Sequence, residues 1–146
     1  MSYNSGNRIT GEIRKEVGNL TSLVRLDLET NMLTGGIPSS FGNLKRLQFL
    51  TLSQNLLKGT IPESLSSVPN LINLLLDSND LRERIPEQLF NVTKYKYVCF
   101  TRNKLNCGVG YQHLYLSDNA NQAYIYFPNP PPSHKQQATG RKLIFL

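Results

Sequence analysis

Leu44-Lys45-Arg46-Leu47-Gln48-Phe49-Leu50-Thr51-Leu52-Ser53-Gln54-Asn55-Leu56-Leu57-Lys58-Gly59-Thr60-Ile61-Pro62 is the stretch whose spacing decides the fold. Leu50 and Leu52 stand two residues apart, so in an extended segment both point to one side and Phe49 and Thr51 to the other. A short strand of this kind buries its leucine side and shows the other to solvent. Where the chain must leave the strand, backbone donors and acceptors lose their ladder partners, and the amide of Asn55, with two donors and an acceptor, can pair with them. Gly59 admits backbone angles closed to other residues and Pro62 fixes its own, so Gly-x-Ile-Pro predicts a second tight bend on the outer side.

Working outward, the same unit recurs every 24 residues, with asparagines at Asn7, Asn31, Asn55, Asn79 and Asn103. The apolar positions move in step: Leu20, Leu23, Leu26, Leu28; then Leu44, Leu47, Leu50, Leu52; then Val68, Leu71, Leu74, Leu76; and a weaker set, Val92, Tyr95, Val98, Phe100. An apolar residue follows each asparagine by two places, at Ile9, Leu33, Leu57, Leu81 and Leu105. Gly35 with Ile37-Pro38 and Gly59 with Ile61-Pro62 show the full outer bend, whereas Glu83 stands at the glycine place before Ile85-Pro86 and Arg14 follows Ile13. One such unit cannot bury its own core, but three or more stacked units can. The predicted fold is an α/β-type solenoid with a parallel β-sheet on its concave face, an asparagine ladder through the stack and short helical or irregular outer segments.

This spacing divides the chain. Residues 1–19 read as a partial leading repeat without an N-terminal cap, and 20–91 as three complete repeats. Residues 92–121 read as a degenerate final repeat with the remnant of a C-terminal cap, and 122–146 as a Pro-rich, basic tail expected to be disordered. In all, 146 residues with 39% hydrophobic content make one ordinary domain with loose ends.

The 24-residue unit with Leu-x-Gly-x-Ile-Pro after the asparagine resembles the plant type of leucine-rich repeat. Ile9-Thr10-Gly11-Glu12-Ile13, Ile37-Pro38-Ser39-Ser40, Leu50-Thr51-Leu52-Ser53-Gln54-Asn55, Ile85-Pro86-Glu87-Gln88-Leu89-Phe90 and Asn106-Cys107-Gly108 resemble the somatic embryogenesis receptor-like kinase group, over roughly residues 6 to 121. Its members are plant plasma-membrane receptor kinases whose repeats act as co-receptors. The resemblance implies an extracellular protein- or peptide-binding module at the plasma membrane or secreted, partnered by another leucine-rich-repeat receptor ectodomain. It also implies a closing cysteine pair; Cys107 matches the first member, and Tyr115 stands about where the second belongs. The chain carries no signal-peptide pattern and no apolar stretch of the ~20 residues a spanning helix needs. It is therefore expected to be a truncated ectodomain, with a soluble apoplastic binding or decoy protein, or a non-functional remnant of a receptor kinase gene, as the alternatives.

Other chemistry is weak in this sequence. Phosphoryl transfer needs a Gly-rich loop, an ATP-pairing lysine and metal-binding aspartates, none of which is present in pattern, so no kinase and no catalytic residue is expected. Gly108-Val109-Gly110 reads as a polar loop, and His113 and His134 are isolated. The formal charge of +6 lies partly in Lys135, Arg141 and Lys142, and the other basic residues are scattered among acids, which does not suit nucleic acid. Neither a cofactor nor a metal is expected. Cys99 falls on the outward side of a strand and Cys107 on the outer bend; a bond between them would have to span more than the ~7 Å limit between Cα atoms, and two thiols are the other reading. Asn19-Leu20-Thr21 and Asn91-Val92-Thr93 are sequons at the same place in the unit, marking Asn19 and Asn91 as possible glycosylation sites in exposed loops.

Binding is expected on the outward side of the strands, at Arg25, Phe49, Thr51, Ile72, Asn73, Leu75 and Tyr97. Polar residues would be ordinary there. Phe49, Ile72, Leu75 and Tyr97 instead place an apolar, partly aromatic group on neighbouring strands ~4.8 Å apart.

Overall fold

The computed structural model describes residues 7–89, 95, 97–100 and 102–105, and the backbone of 90, 106 and 124–126. The elements run β1 (Thr10–Glu12), β2 (Arg25–Asp27), β3 (Met32–Thr34), β4 (Phe49–Thr51), β5 (Lys58–Gly59), β6 (Asn73–Leu75), β7 (Asp80–Arg84), β8 (Tyr97–Cys99), β9 (Lys104–Asn106) and β10 (Tyr124–Tyr126). Short 3-10 turns at Lys15–Asn19, Ser39–Asn43, Glu63–Ser67 and Glu87–Phe90 fill the outer side. The protein is a leucine-rich-repeat solenoid. Its first strands form one parallel sheet in the order β10-β8-β6-β4-β2. The strands that follow each asparagine form a second parallel ladder, β1-β3 and β5-β7-β9, which the Leu56 N–H to Leu33 carbonyl bond (2.9 Å) and the Lys58 N–H to Gly35 carbonyl bond (2.7 Å) join.

The register follows the repeat. Leu26, Leu50, Leu74 and Val98 align on adjacent strands. The latter three, with Leu52, Leu76, Leu57, Leu81, Phe41, Leu65 and Phe100, are buried in one continuous core. Each fully covered leucine contributes roughly 1.5 to 3 kcal/mol relative to exposure. Tyr95 occupies a leucine place in the last described repeat, and burial pushes its phenol up to about 12. Leu20, read from the sequence as one of the inward series, is 55% exposed, although its equivalents Leu44 and Val68 are fully buried. Among the described residues the first 3-10 turn stacks on one neighbouring turn only, and Val17, Leu23, Leu26 and Leu28 are accordingly only partly buried.

Four asparagines make one repeated set of bonds. Asn55 Nδ2 donates to the carbonyls of Leu28 (2.9 Å), Leu52 (3.1 Å) and Ser53 (3.2 Å), and its Oδ1 accepts from the Leu33 N–H at 3.0 Å. Asn79 repeats this with Leu52, Leu76, Asp77 and the Leu57 N–H. Asn103 bonds Leu76, Phe100 and the Leu81 N–H, and Asn31 bonds Leu28, Glu29 and the Ile9 N–H. Asn7 is exposed at the end of the stack. The residue before each of these four, Thr30, Gln54, Ser78 or Arg102, takes a left-handed conformation with φ between 53° and 57°.

On the outer side Gly35 and Gly59 have φ of +72° and +77°, and Glu83 at the same place adopts +67°. Arg14, standing where other repeats have proline, takes φ −70°, close to the −65° of Pro38 and −64° of Pro62. The bend therefore persists without its preferred residues. Gly42 serves a different need: a Cβ there would sit 2.7 Å from Ser64 Cβ and 2.9 Å from the Ser64 carbonyl oxygen, so adjacent 3-10 turns stack only over a missing side chain. Ser40 and Ser64 hydroxyls tie the same turns by donating to the carbonyls of Lys15 and Ser39, both at 2.7 Å.

The segment 122–146, expected to lack regular structure, contributes β10, which pairs in parallel with β8 through Tyr124↔Tyr97, Ile125↔Val98 and Tyr126↔Cys99. The step from β8 to β10 is 27 residues instead of 24, which is why the repeat period did not mark it. Cys107, Asn91, Tyr115 and the remainder of that segment lie outside the described residues. Among the described residues no helix is long and apolar enough to cross a membrane.

Two substitutions test this account. Asn55→Ala leaves the Leu33 N–H and nearby carbonyls without partners and is expected to cost about 1 to 3 kcal/mol in denaturant unfolding; an unchanged midpoint removes the ladder's role. Gly42→Ala is expected to destabilise by about 1 to 3 kcal/mol through overpacking against Ser64, whereas Gly36→Ala, whose Cβ would meet only the Lys58 carbonyl at 3.7 Å, is expected to cost less.

Candidate functional site

The outward side of the five-stranded sheet carries two rows of side chains set by strand register. The first runs Arg25, Phe49, Asn73 and Tyr97; the second runs Asp27, Thr51, Leu75 and Cys99. Parallel pairing between adjacent strands holds each row at about 4.8 Å per step.

In the first row the Arg25 guanidinium lies over the Phe49 ring, 4.2 Å from its centroid, an arrangement favoured by the ring's negative face. Phe49 and Asn73 are half-buried, and Tyr97 is 39% exposed. Asn73 Oδ1 is buried and accepts no hydrogen bond. Ile72, just ahead of β6, is half-buried; its N–H donates to the Gln48 carbonyl at 3.0 Å and its carbonyl accepts from the Tyr97 N–H at 3.1 Å. In the second row Leu75 is half-buried. Thr51, read from the sequence as part of the exposed face, is only 8% exposed, because its small side chain stands between Asp27 and Leu75 on the adjoining strands. The register thus brings Phe49, Asn73 and Tyr97 into one line beside Arg25, with Leu75 in the neighbouring row.

Past the carboxyl ends of β2 and β6 stands an acidic edge that the sequence reading did not single out, formed by Asp27, Glu29 and Asp77. Ser53 Oγ donates to Asp77 Oδ1, Gln54 Nε2 donates to Glu29 Oε1 at 3.5 Å, and the Glu29 N–H donates to Asp27 Oδ1 at 3.3 Å. Partial burial, then repulsion from Asp27 and Asp77, raise the Glu29 carboxyl above its ordinary value. The ion pairs among the described residues lie on the other ladder, at Arg82–Asp80, Arg84–Glu87 and Lys104–Asp80, and none includes these three acids. Repeat spacing alone could have found them, since Glu29 and Asp77 occupy equivalent positions with Ser53 between.

Asn19, of the first sequon, is exposed at the end of a 3-10 turn. No group of three or more His, Cys, Asp or Glu among the described residues is arranged to hold a metal ion.

The raised Glu29 carboxyl has a signed consequence. A group protonated to higher pH in the folded chain contributes stability below its unfolded value and loses it as pH rises through the folded value. Glu29→Gln is therefore expected to melt higher than the parent chain at pH 7 and to converge with it below about pH 4, in thermal scans across that range. A difference independent of pH removes the electrostatic assignment.

Residues 21–81 match the family model described as Leucine rich repeat. No curated protein matches the chain. Among solved structures, the plant peptide hormone receptor RGFR1 in complex with RGF2 is 36% identical with a TM-score of 0.67, over 68% of this chain and 16% of that one. The BIR3–SERK2 complex from Arabidopsis thaliana is 37% identical with a TM-score of 0.60, over 70% of this chain and 54% of that one. The leucine-rich-repeat ectodomain of the receptor kinase SOBIR1 from Arabidopsis thaliana is 26% identical with a TM-score of 0.69, over 83% of this chain and 65% of that one. The chain thus spans from about a sixth to about two thirds of the length of these structures. Its residues 21–81 are leucine-rich repeats, and the chain has the leucine-rich-repeat fold and is similar in sequence to ectodomains of plant receptor kinases.

Proposed function

We propose that this chain is an extracellular protein- or peptide-binding module of the co-receptor type, working through the outward side of its five-stranded sheet and performing no catalysis itself. The observation that carries the reading is the first row, in which Arg25, half-buried Phe49, Asn73 and exposed Tyr97 stand on consecutive strands. Aromatic and arginine side chains held rigidly at the centre of a surface are the residue types that dominate binding energy. Similarity to a peptide hormone receptor in complex with RGF2 and to the BIR3–SERK2 complex supports a protein or peptide as the partner class, and a second leucine-rich-repeat ectodomain as the partner. The finer resemblance to the somatic embryogenesis receptor-like kinase group, the truncation ahead of a membrane span and kinase, a place outside the plasma membrane, and glycans on Asn19 and Asn91 belong to the same proposal.

Phe49→Ala and Tyr97→Ala are each expected to weaken binding to plant leucine-rich-repeat receptor ectodomains, measured by calorimetry, by more than about 1 kcal/mol while changing stability little. Leu50→Ala and Leu74→Ala, which delete fully buried side chains, are expected to destabilise by about 2 to 5 kcal/mol. If Phe49→Ala unfolds the chain as badly as Leu50→Ala, the row serves packing; if it folds and every tested ectodomain binds unchanged, the face is not the interface.

A further inference from the structure

We propose that two copies of this chain dock through their leading repeats, β2 pairing antiparallel with β2 of the second copy about a two-fold axis through Leu26. The surface is the rim of the sheet at its first strand, and it is separate from the binding of another ectodomain by Phe49 and Tyr97.

The backbone supplies the template. β2 ends the five-stranded sheet, and among the described residues no strand pairs with its other side. Toward β4 it uses the Val24 carbonyl, which accepts from the Phe49 N–H at 3.2 Å, and the Leu28 N–H, which donates to the Thr51 carbonyl at 2.9 Å. Successive residues of a strand turn their backbone groups to opposite edges. Val24, Leu26 and Leu28 thus face β4, and the N–H and C=O groups of Arg25 and Asp27 face the rim. An open rim of this kind takes a further strand.

Charge selects the second copy and sets the register. In an antiparallel pair centred on Leu26, Arg25 of each copy stands opposite Asp27 of the other, and each such pair exchanges both backbone bonds. Opposite charges placed directly across strands attract, and like charges repel. The registers one step away that also match the backbone would set Arg25 on Arg25 or Asp27 on Asp27. The Arg25 guanidinium, which lies over Phe49 in the single chain, is carried on a stem long enough to reach the strand on either side. Asp27 Oδ1 accepts from the Glu29 N–H at 3.3 Å, which holds the carboxylate at the end of β2.

Apolar surface supplies the driving force. Leu26 meets Leu26 on the axis and extends the row Leu26, Leu50, Leu74 and Val98 into the second copy. Reversal of direction brings residues ahead of β2 in one copy toward those past its carboxyl end in the other. Ahead of it stand Leu20 and Val24, 55% and 37% exposed; past it stands Ile9, 47% exposed, whose N–H is held by Asn31 Oδ1. Leu33, Leu57 and Leu81, the equivalents of Ile9, are buried. Docking therefore covers on the first repeat the kind of surface that later repeats bury against one another. A contact made by the same patch on both copies closes at two.

The test is sedimentation equilibrium on the full chain produced in bacteria. The mass is expected to rise with concentration from 16.5 kDa to twice that value and no further. Arg25→Asp alone and Asp27→Arg alone each set like charges across the axis and are expected to weaken self-association by about tenfold or more. An equimolar mixture of these two variants restores opposite charges at both pairs and is expected to dimerise within about threefold of the parent. Leu20→Lys, at an exposed position, is expected to weaken the dimer with the melting curve unchanged. A chain that keeps the mass of one copy up to millimolar concentration overturns the proposal. So does a mass that climbs past two copies, which is head-to-tail stacking, and so do charge variants that do not recover on mixing, which exclude this strand pairing. Ectodomain binding by Phe49→Ala and Tyr97→Ala is read in a different experiment and stands or falls independently.

Discussion

A buried amide that bonds across the repeat boundary is the constraint on which this structure depends. Each ladder asparagine serves two neighbours at once: its Nδ2 closes the turn of its own repeat and, at Asn55, Asn79 and Asn103, also reaches a carbonyl 27 residues earlier, while its Oδ1 takes an N–H 22 residues earlier. The turn leaving the sheet would otherwise bury several backbone groups without partners, each at a cost of about 1 to 3 kcal/mol. Because the bonds join consecutive repeats, strand register is fixed along the stack. Fixed register in turn lines Arg25, Phe49, Asn73 and Tyr97 into a row.

The outward face is a by-product of this arrangement that binding can use. The leucine side of each strand is committed to the core, so exposed side chains on the other side can change with little effect on folding. Arg25 over Phe49 and the acids Asp27, Glu29 and Asp77 give the face two kinds of contact, a cation held on an aromatic ring at one end of the strands and clustered negative charge at the other. A rigid sheet presents both without the entropy of ordering a loop.

The fold was legible because its period is long and strict. Asparagines every 24 residues, leucines two apart and the Ile-Pro bends marked the strands, the outer turns and the core residues Leu50, Leu74 and Ile61. What escaped had specific physical causes. Leu20 keeps the apolar pattern, but among the described residues no turn stacks on its outer side, and a pattern does not record neighbours. Thr51 was given to the open face by alternation, whereas its exposure depends on the size of side chains on the adjoining strands. Thr30, Gln54, Ser78 and Arg102 take left-handed conformations without the glycine or asparagine that usually announces one, and β10 lies three residues off the period. The acidic edge went unread for another reason: Glu29 and Asp77 stand at equivalent places in the unit, but past the strand, where the alternation of leucines does not direct attention.

Glu83 occupies the left-handed bend where the preceding repeats place glycine, with φ +67° against +72° and +77°. An L-residue in that conformation carries an intrinsic penalty of about 1 to 2 kcal/mol, yet the backbone keeps its course. The neighbouring repeats, bonded to it on both ladders, dictate the path more strongly than the local residue does. A solenoid built this way is tolerant of drift: single repeats can depart from consensus, accumulate substitutions on their solvent-facing positions and still be held in shape by the copies on either side. Such tolerance lets a repeat array diversify its surface one unit at a time without a change of architecture.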